Sequence, residues 1–88
     1  MNQQAIFDTI VRHTKETLPS LAQHSFRFDD TLRDLGANSI DRSEIIMLTL
    51  ESLSLQVALV ELASAANIGK LATRLAEIVA ERKAGQLA

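Results

Sequence analysis

Ile6, Phe7, Ile10, Val11 and Leu18, with Thr14 in the same rows, recur every three or four positions. That is the period of a helix with one apolar face, and it predicts a helix over residues 3–18. Asn2 can cap its start, and Pro19 ends it, because proline lacks an N–H and restricts Leu18. Residues 19–37 carry no long periodic run, yet Phe26, Phe28, Leu32 and Leu35 are spaced through them as anchors to a core. Asp29 or Asp30 can cap a single helical turn, Thr31–Leu35, which Gly36 closes in a left-handed conformation. A loop this long in a small domain serves function or argues against its own assignment, and the anchors favour function.

The pattern becomes helical again over residues 39–53. Ile45, Ile46, Thr49, Leu50 and Leu53 face inward, while Ile40, Met47 and Leu48 widen the apolar surface toward a partner or bound chain. Asn38 caps this helix, and Asp41 three residues later forms a short-armed capping box. Residues 54–58 alternate as an extended connector, and Leu59–Ala65 reads as a short helix. Asn67 ends that helix or caps the next, Ile68–Arg82, which buries Leu71, Leu75, Ile78 and Val79, with Ala72 and Ala76 for close approach. Lys83–Ala88 is expected to fray. The predicted fold is all-α: a small antiparallel four-helix bundle with three longer helices, one short helix and a long first loop.

Composition narrows the function classes. Eighty-eight residues make a single domain, 1–88. With three Phe, no Trp or Tyr and 47% hydrophobic residues, the core must be aliphatic. The chain has no cysteine, so disulfides and thiolate metal sites are excluded, and any thioester chemistry needs a thiol from a cofactor. No run approaches the ~20 apolar residues of a membrane span, and the start lacks the basic residues of a signal peptide. A cytoplasmic monomer with no membrane attachment is the expectation. Between Phe28 and Glu51 stand six acids against two bases, which argues against nucleic acid and for basic protein partners. His13 and His24 lack a third ligand at suitable spacing, so they read as ordinary surface or boundary residues. Asp29-Asp30 reads as a solvated turn, and Arg82-Lys83 as charge suited to the end of a helix.

The segment Asp34-Leu35-Gly36-Ala37-Asn38-Ser39-Ile40-Asp41 sets a hydroxyl in the first turn of a helix, after a glycine-containing loop. Unpaired N–H groups and the positive dipole end make that a suitable place for a phosphodiester. On position alone, a serine there is most often only a cap. Leu35-Gly36-Ala37-Asn38-Ser39-Ile40, however, resembles the phosphopantetheine attachment signature of acyl carrier proteins: leucine, glycine, a variable residue, aspartate, serine, leucine. Asn67-Ile68-Gly69-Lys70-Leu71 resembles the start of that family's final helix, so the likeness covers essentially the whole chain.

The resemblance implies that a phosphopantetheinyl transferase moves 4′-phosphopantetheine from coenzyme A onto Ser39, and that the arm's thiol carries acyl groups as thioesters. It places Asn38 and Asp41 beside the attachment point, and Ile40, Ser43, Glu44 and Met47 on the partner-facing side of the helix. The resemblance implies no catalytic residue and no metal; the implied role is that of a non-catalytic carrier. Asn38 stands where aspartate is usual, and this helix is less acidic than in fatty-acid carriers, so partners are selected more by shape and apolar contact. Gly36–Glu44 with Met47–Glu51 resembles the discrete donor carriers of bacterial polyketide β-branching cassettes. For that role the implied cargo is malonyl, converted to acetyl. The implied partners are an acyltransferase, a ketosynthase-like decarboxylase and a 3-hydroxy-3-methylglutaryl (HMG) synthase-like enzyme. The alternatives are a fatty-acid carrier, a peptidyl carrier, or a helical interaction module without a prosthetic group.

Overall fold

The computed structural model describes residues 2–62 and 65–87, with side chains through residue 82. Four α-helices follow one another: α1 (Gln3–Thr17), α2 (Ser39–Ser52), the short α3 (Leu59–Leu62) and α4 (Ile68–Leu87). The described residues contain no strand, so the all-α, four-helix expectation matches.

Helix α1 starts where the Asn2 side chain accepts the Ala5 N–H, at 2.8 Å. It ends one residue short of the expected boundary, and Pro19–Leu21 forms a 3-10 turn. Its apolar stripe, Ile6, Phe7 and Ile10, packs against both α2 and α4. From the other side come Ile45, Ile46 and Leu50 of α2 and Leu71, Ala72, Leu75 and Ile78 of α4. Val79, expected in the core, is only half-buried. A fully buried Ile or Leu contributes about 1.5–3 kcal/mol, so this aliphatic seam holds the bundle. Thr14 and Thr49 are wholly buried within it. Each hydroxyl donates to the carbonyl four residues back, Ile10 at 2.7 Å and Ile45 at 2.8 Å, which satisfies a polar group no other neighbour could serve.

The antiparallel arrangement expected from short connections does not hold for α1 and α2, because the connection between them is long. It carries the chain back along α1, so that His13 meets Ser52 at the far end of α2. His13 is correspondingly buried, at 7% exposure, rather than a surface residue. It shares hydrogen bonds with Ser52 Oγ (2.7 Å) and Glu16 Oε2 (3.1 Å).

The first loop is anchored as expected by Leu32, which is buried, and by Phe26 and Leu35, which are partly buried against the core. Phe28 departs from the expectation and is 42% exposed. Its ring leans edge-on against Phe7, centroids 4.5 Å apart. Its carbonyl accepts the Gly69 N–H at 2.7 Å, and the Asp30 carbonyl accepts that of Ile68 at 2.9 Å. The loop is thus tied to the start of α4 by backbone as much as by side chains. A Cβ at Gly69 would stand 2.8 Å from the Phe28 Cβ and carbonyl oxygen, so only glycine permits this approach.

Residues 55–58 alternate half-buried and exposed, as an extended connector does. The short helix covers Leu59–Leu62; of the expected extension, Ala63 and Ser64 lie outside the described residues and Ala65 is not helical. Asn67 caps α4, accepting the Lys70 N–H at 2.7 Å. Helix α4 continues past the expected end at Arg82, its backbone helical through Leu87, in place of the frayed Lys83–Leu87. Nothing in Glu81–Ala84 breaks a helix, and one glycine, Gly85, costs only ~1 kcal/mol relative to alanine. Arg82 donates to the Gln56 carbonyl instead of serving a helix end.

Candidate functional site

The site is assembled from local chain chemistry. Thr31, not Asp29 or Asp30, caps the turn before it: its hydroxyl accepts the Asp34 N–H at 3.0 Å. Burial of Leu32 sets the phase of this turn and leaves Thr31 at its head. Asp30 is used differently, accepting the Arg27 N–H at 2.9 Å and pairing with His24 at 3.0 Å. The Arg27 N–H first, and His24 second, hold the Asp30 carboxyl below its ordinary value. Asp29 lies exposed beside Arg27, the solvated half of the pair.

The turn closes as the sequence indicates. Gly36 has φ of 102°, its N–H donates to Arg33, and the Ala37 N–H reaches back to the Leu32 carbonyl. This pattern of bonds ends helical turns and reverses the chain. Ala37 is buried, which pins the next residue, Asn38, at the surface where α2 begins. The capping box is complete: Asn38 Oδ1 accepts the Asp41 N–H at 2.8 Å, and Asp41 Oδ2 accepts the Asn38 N–H at 3.2 Å.

Ser39 therefore stands in the first position of a rigidly capped helix. It is exposed, and its hydroxyl has no hydrogen-bond partner among the described residues. The Ser39 and Ile40 amides are likewise untaken there, as expected of the first N–H groups of a helix whose cap serves the third. Among the described residues no side chain hydrogen-bonds Ser39 to activate it. The arrangement can accept a group delivered by another enzyme, and its free amides suit an anionic linkage.

Two concavities flank this residue. On the inner side, a cavity of about 480 Å³ runs between α2, α3 and the start of α4, with Ile46, Leu62 and Leu71 in its wall. On the outer side, a shallow groove of about 590 Å³ follows Ser39, Ile40, Ser43, Glu44, Met47 and Leu48. Ile40 is 75% and Met47 56% exposed, so both belong to the outer face and not the core. The structure thus gathers Ile40, Ser43, Glu44 and Met47 on one surface and commits Asn38 and Asp41 to the cap. Sequence reasoning missed the inner cavity and the two arginines in its wall, Arg33 and Arg42. No linear pattern signals residues that only the packing of three elements brings together.

The histidines are engaged elsewhere, His13 with Ser52 and Glu16, His24 with Asp30. Among the described residues no three His, Asp or Glu side chains gather as a metal site requires, and no helix is long and apolar enough to cross a membrane.

A small helical bundle that presents an exposed serine at the mouth of a cavity, its hydroxyl without a hydrogen-bond partner among the described residues, suits a carrier of tethered cargo. Residues 8–75 match the family model described as phosphopantetheine attachment site, and the chain belongs to this family of acyl carriers, whose cofactor is phosphopantetheine. It is 46% identical over 72 residues to the polyketide biosynthesis acyl-carrier-protein AcpK of Bacillus subtilis (strain 168), covering 82% of this chain and 88% of that one. It also superposes, with a TM-score of 0.84 and 39% identity, on a chain in the crystal structure of the curacin biosynthetic pathway HMG synthase in complex with acetyl donor-ACP. That match covers 88% of this chain and 99% of the other.

Proposed function

We propose that this chain is a non-catalytic donor carrier for polyketide β-branching, bearing 4′-phosphopantetheine on Ser39. The observation that carries the proposal is the Ser39 hydroxyl, exposed at the start of α2 between a cavity and a groove and without a hydrogen-bond partner among the described residues. A phosphopantetheinyl transferase binds the outer face of α2. The Ser39 oxygen then forms a new bond to phosphorus, the bond from that phosphorus to the adenosine bisphosphate part of coenzyme A breaks, and the serine proton leaves to a base of the transferase. The arm supplies the terminal thiol that the cysteine-free chain lacks, and acyl groups ride on it as thioesters.

This chain's own residues hold and present. The capping box of Asn38 and Asp41 fixes the first turn, and the Ser39 and Ile40 amides face the site of the phosphodiester. Ile40, Ser43, Glu44 and Met47 form the surface read by successive partners. The similarity to AcpK and to the acetyl-donor complex supports an acetyl cargo in polyketide biosynthesis, which in this reading arrives as malonyl loaded by an acyltransferase. A ketosynthase-like decarboxylase breaks the carbon–carbon bond to the carboxylate, carbon dioxide leaves, and the enolate takes a proton to give acetyl. An HMG-synthase-like enzyme then receives the acetyl unit. A cytoplasmic monomer suits this shuttle.

The test is intact mass after incubation with coenzyme A and a broad-specificity transferase. One phosphopantetheine should be gained by the wild type and none by Ser39→Ala. Offering malonyl, acetyl and aminoacyl forms to a branching synthase then examines the sub-role. Transfer from the aminoacyl form, or none from the acetyl form, would refute it.

A further inference from the structure

Two arginines in the cavity wall stand apart from the rest of the molecule. Arg12, Arg27 and Arg74 each lie within 4.0 Å of a carboxylate, and Arg82 donates to the Gln56 carbonyl. The side chains of Arg33 and Arg42 have neither an ion pair nor a hydrogen bond among the described residues. Both line the inner cavity that opens beside Ser39. Arg42 is half-buried, one helical turn beyond Ser39, and Arg33 approaches from the loop. Among the described residues the lining includes one acid, Asp34, and these two arginines, so its balance is cationic. The floor beyond them, Ile46, Leu62 and Leu71, is apolar.

A guanidinium presents fixed N–H donors that match a carboxylate, and it does so best where partial burial weakens the competition from water. An acetyl group offers such donors no charge, whereas a malonyl group ends in a free carboxylate. We propose that Arg33 and Arg42 recognise the terminal carboxylate of a carboxyacyl thioester folded into this cavity, so that the carrier discriminates malonyl from acetyl cargo. The inference rests on the arm being attached at Ser39 with malonyl as cargo. Its consequence is directional. The carboxylated form is held inward, and loss of carbon dioxide removes the group by which it is held, which frees the acetyl form for the outer face.

The test follows the cargo by carbon-13 NMR. Protein loaded with carboxyl-labelled malonyl is titrated beside malonyl pantetheine free in solution. The malonyl carboxyl on the wild-type protein should titrate lower than on the free thioester, by about 0.5, the scale of a partly exposed ion pair. Arg42→Gln should remove most of the difference, Arg33→Gln less, and the double variant all of it. The side chains are exposed or half-buried, so the bundle should survive both changes. Equal titration of bound and free malonyl would overturn the proposal. So would a double variant that shifts only the phosphorus-31 resonance, and equally in malonyl and acetyl forms, since the arginines would then serve the phosphodiester. Failure of Ser39 to load at all, seen by mass beforehand, would overturn this proposal and the proposed function together, whereas normal loading with an unshifted carboxyl would sink this one alone.

Discussion

Helices α2 and α4 begin with the same device and put it to opposite uses. Each is capped by an asparagine, Asn38 or Asn67, whose side chain accepts the N–H three residues on. At α4 the two amides before that one are taken by loop carbonyls, Ile68 by Asp30 and Gly69 by Phe28, and the position is buried. At α2 the corresponding amides, Ser39 and Ile40, have no acceptor among the described residues, and the exposed Ser39 hydroxyl beside them has no partner there either. The local sequence chemistry is nearly the same. What separates a structural helix start from a functional one is where the long loop spends its carbonyls.

The difference can be broken at either end. The largest expected effect is at α2: Ser39→Ala should abolish attachment of the arm completely, while thermal unfolding stays within about 0.5 kcal/mol of the wild type, as for other exposed positions. At α4 the balance should reverse. Gly69→Ala forces a Cβ into the Phe28 backbone, and urea unfolding should show a loss of about 1–3 kcal/mol, with loading at Ser39 retained in the folded fraction. Removing the shared device sharpens the comparison. Asn38→Ala and Asn67→Ala should each cost about 0.5–2 kcal/mol by chemical denaturation, but only Asn38→Ala should also slow the transferase.

The smallest effect concerns Asp30, whose side chain braces the loop behind α4. Its carboxyl is held below the usual 3.8, chiefly by the Arg27 N–H and then by His24. A depressed carboxyl stabilises the folded state above its ordinary value and loses that contribution as pH falls through the lowered one. Asp30→Asn should therefore unfold more readily than the wild type near neutrality, and the gap should narrow in acid. A gap that is independent of pH would remove charge from the explanation.

The site was largely legible because it is local. The Gly36 reversal, the Asn38–Asp41 box and the exposed hydroxyl depend on residues of one short stretch, Leu32 to Asp41, and backbone rules decide them. The misassignments arise where distant packing chooses among equivalent options. Thr31, Asp29 and Asp30 could all cap the same turn, and burial of Leu32 selected Thr31. Phe28 is as apolar as Phe26, but its carbonyl is committed to Gly69, which leaves its ring at the surface. His13 looked like a boundary residue until the loop brought Ser52 beside it. Nothing along the chain announces that Arg33 and Arg42 border one cavity, because α3 and the start of α4 must pack before that cavity has a far wall.

Ser39 and Ser43 line both the inner cavity and the outer groove, whereas Met47 borders only the groove and Leu62 only the cavity. At its first turn, then, α2 is a partition one side chain thick. An engineer who wants to retune how cargo is stored without disturbing how enzymes are met can work at Leu62, and the converse holds at Met47. Any change at Ser43 alters both rooms at once.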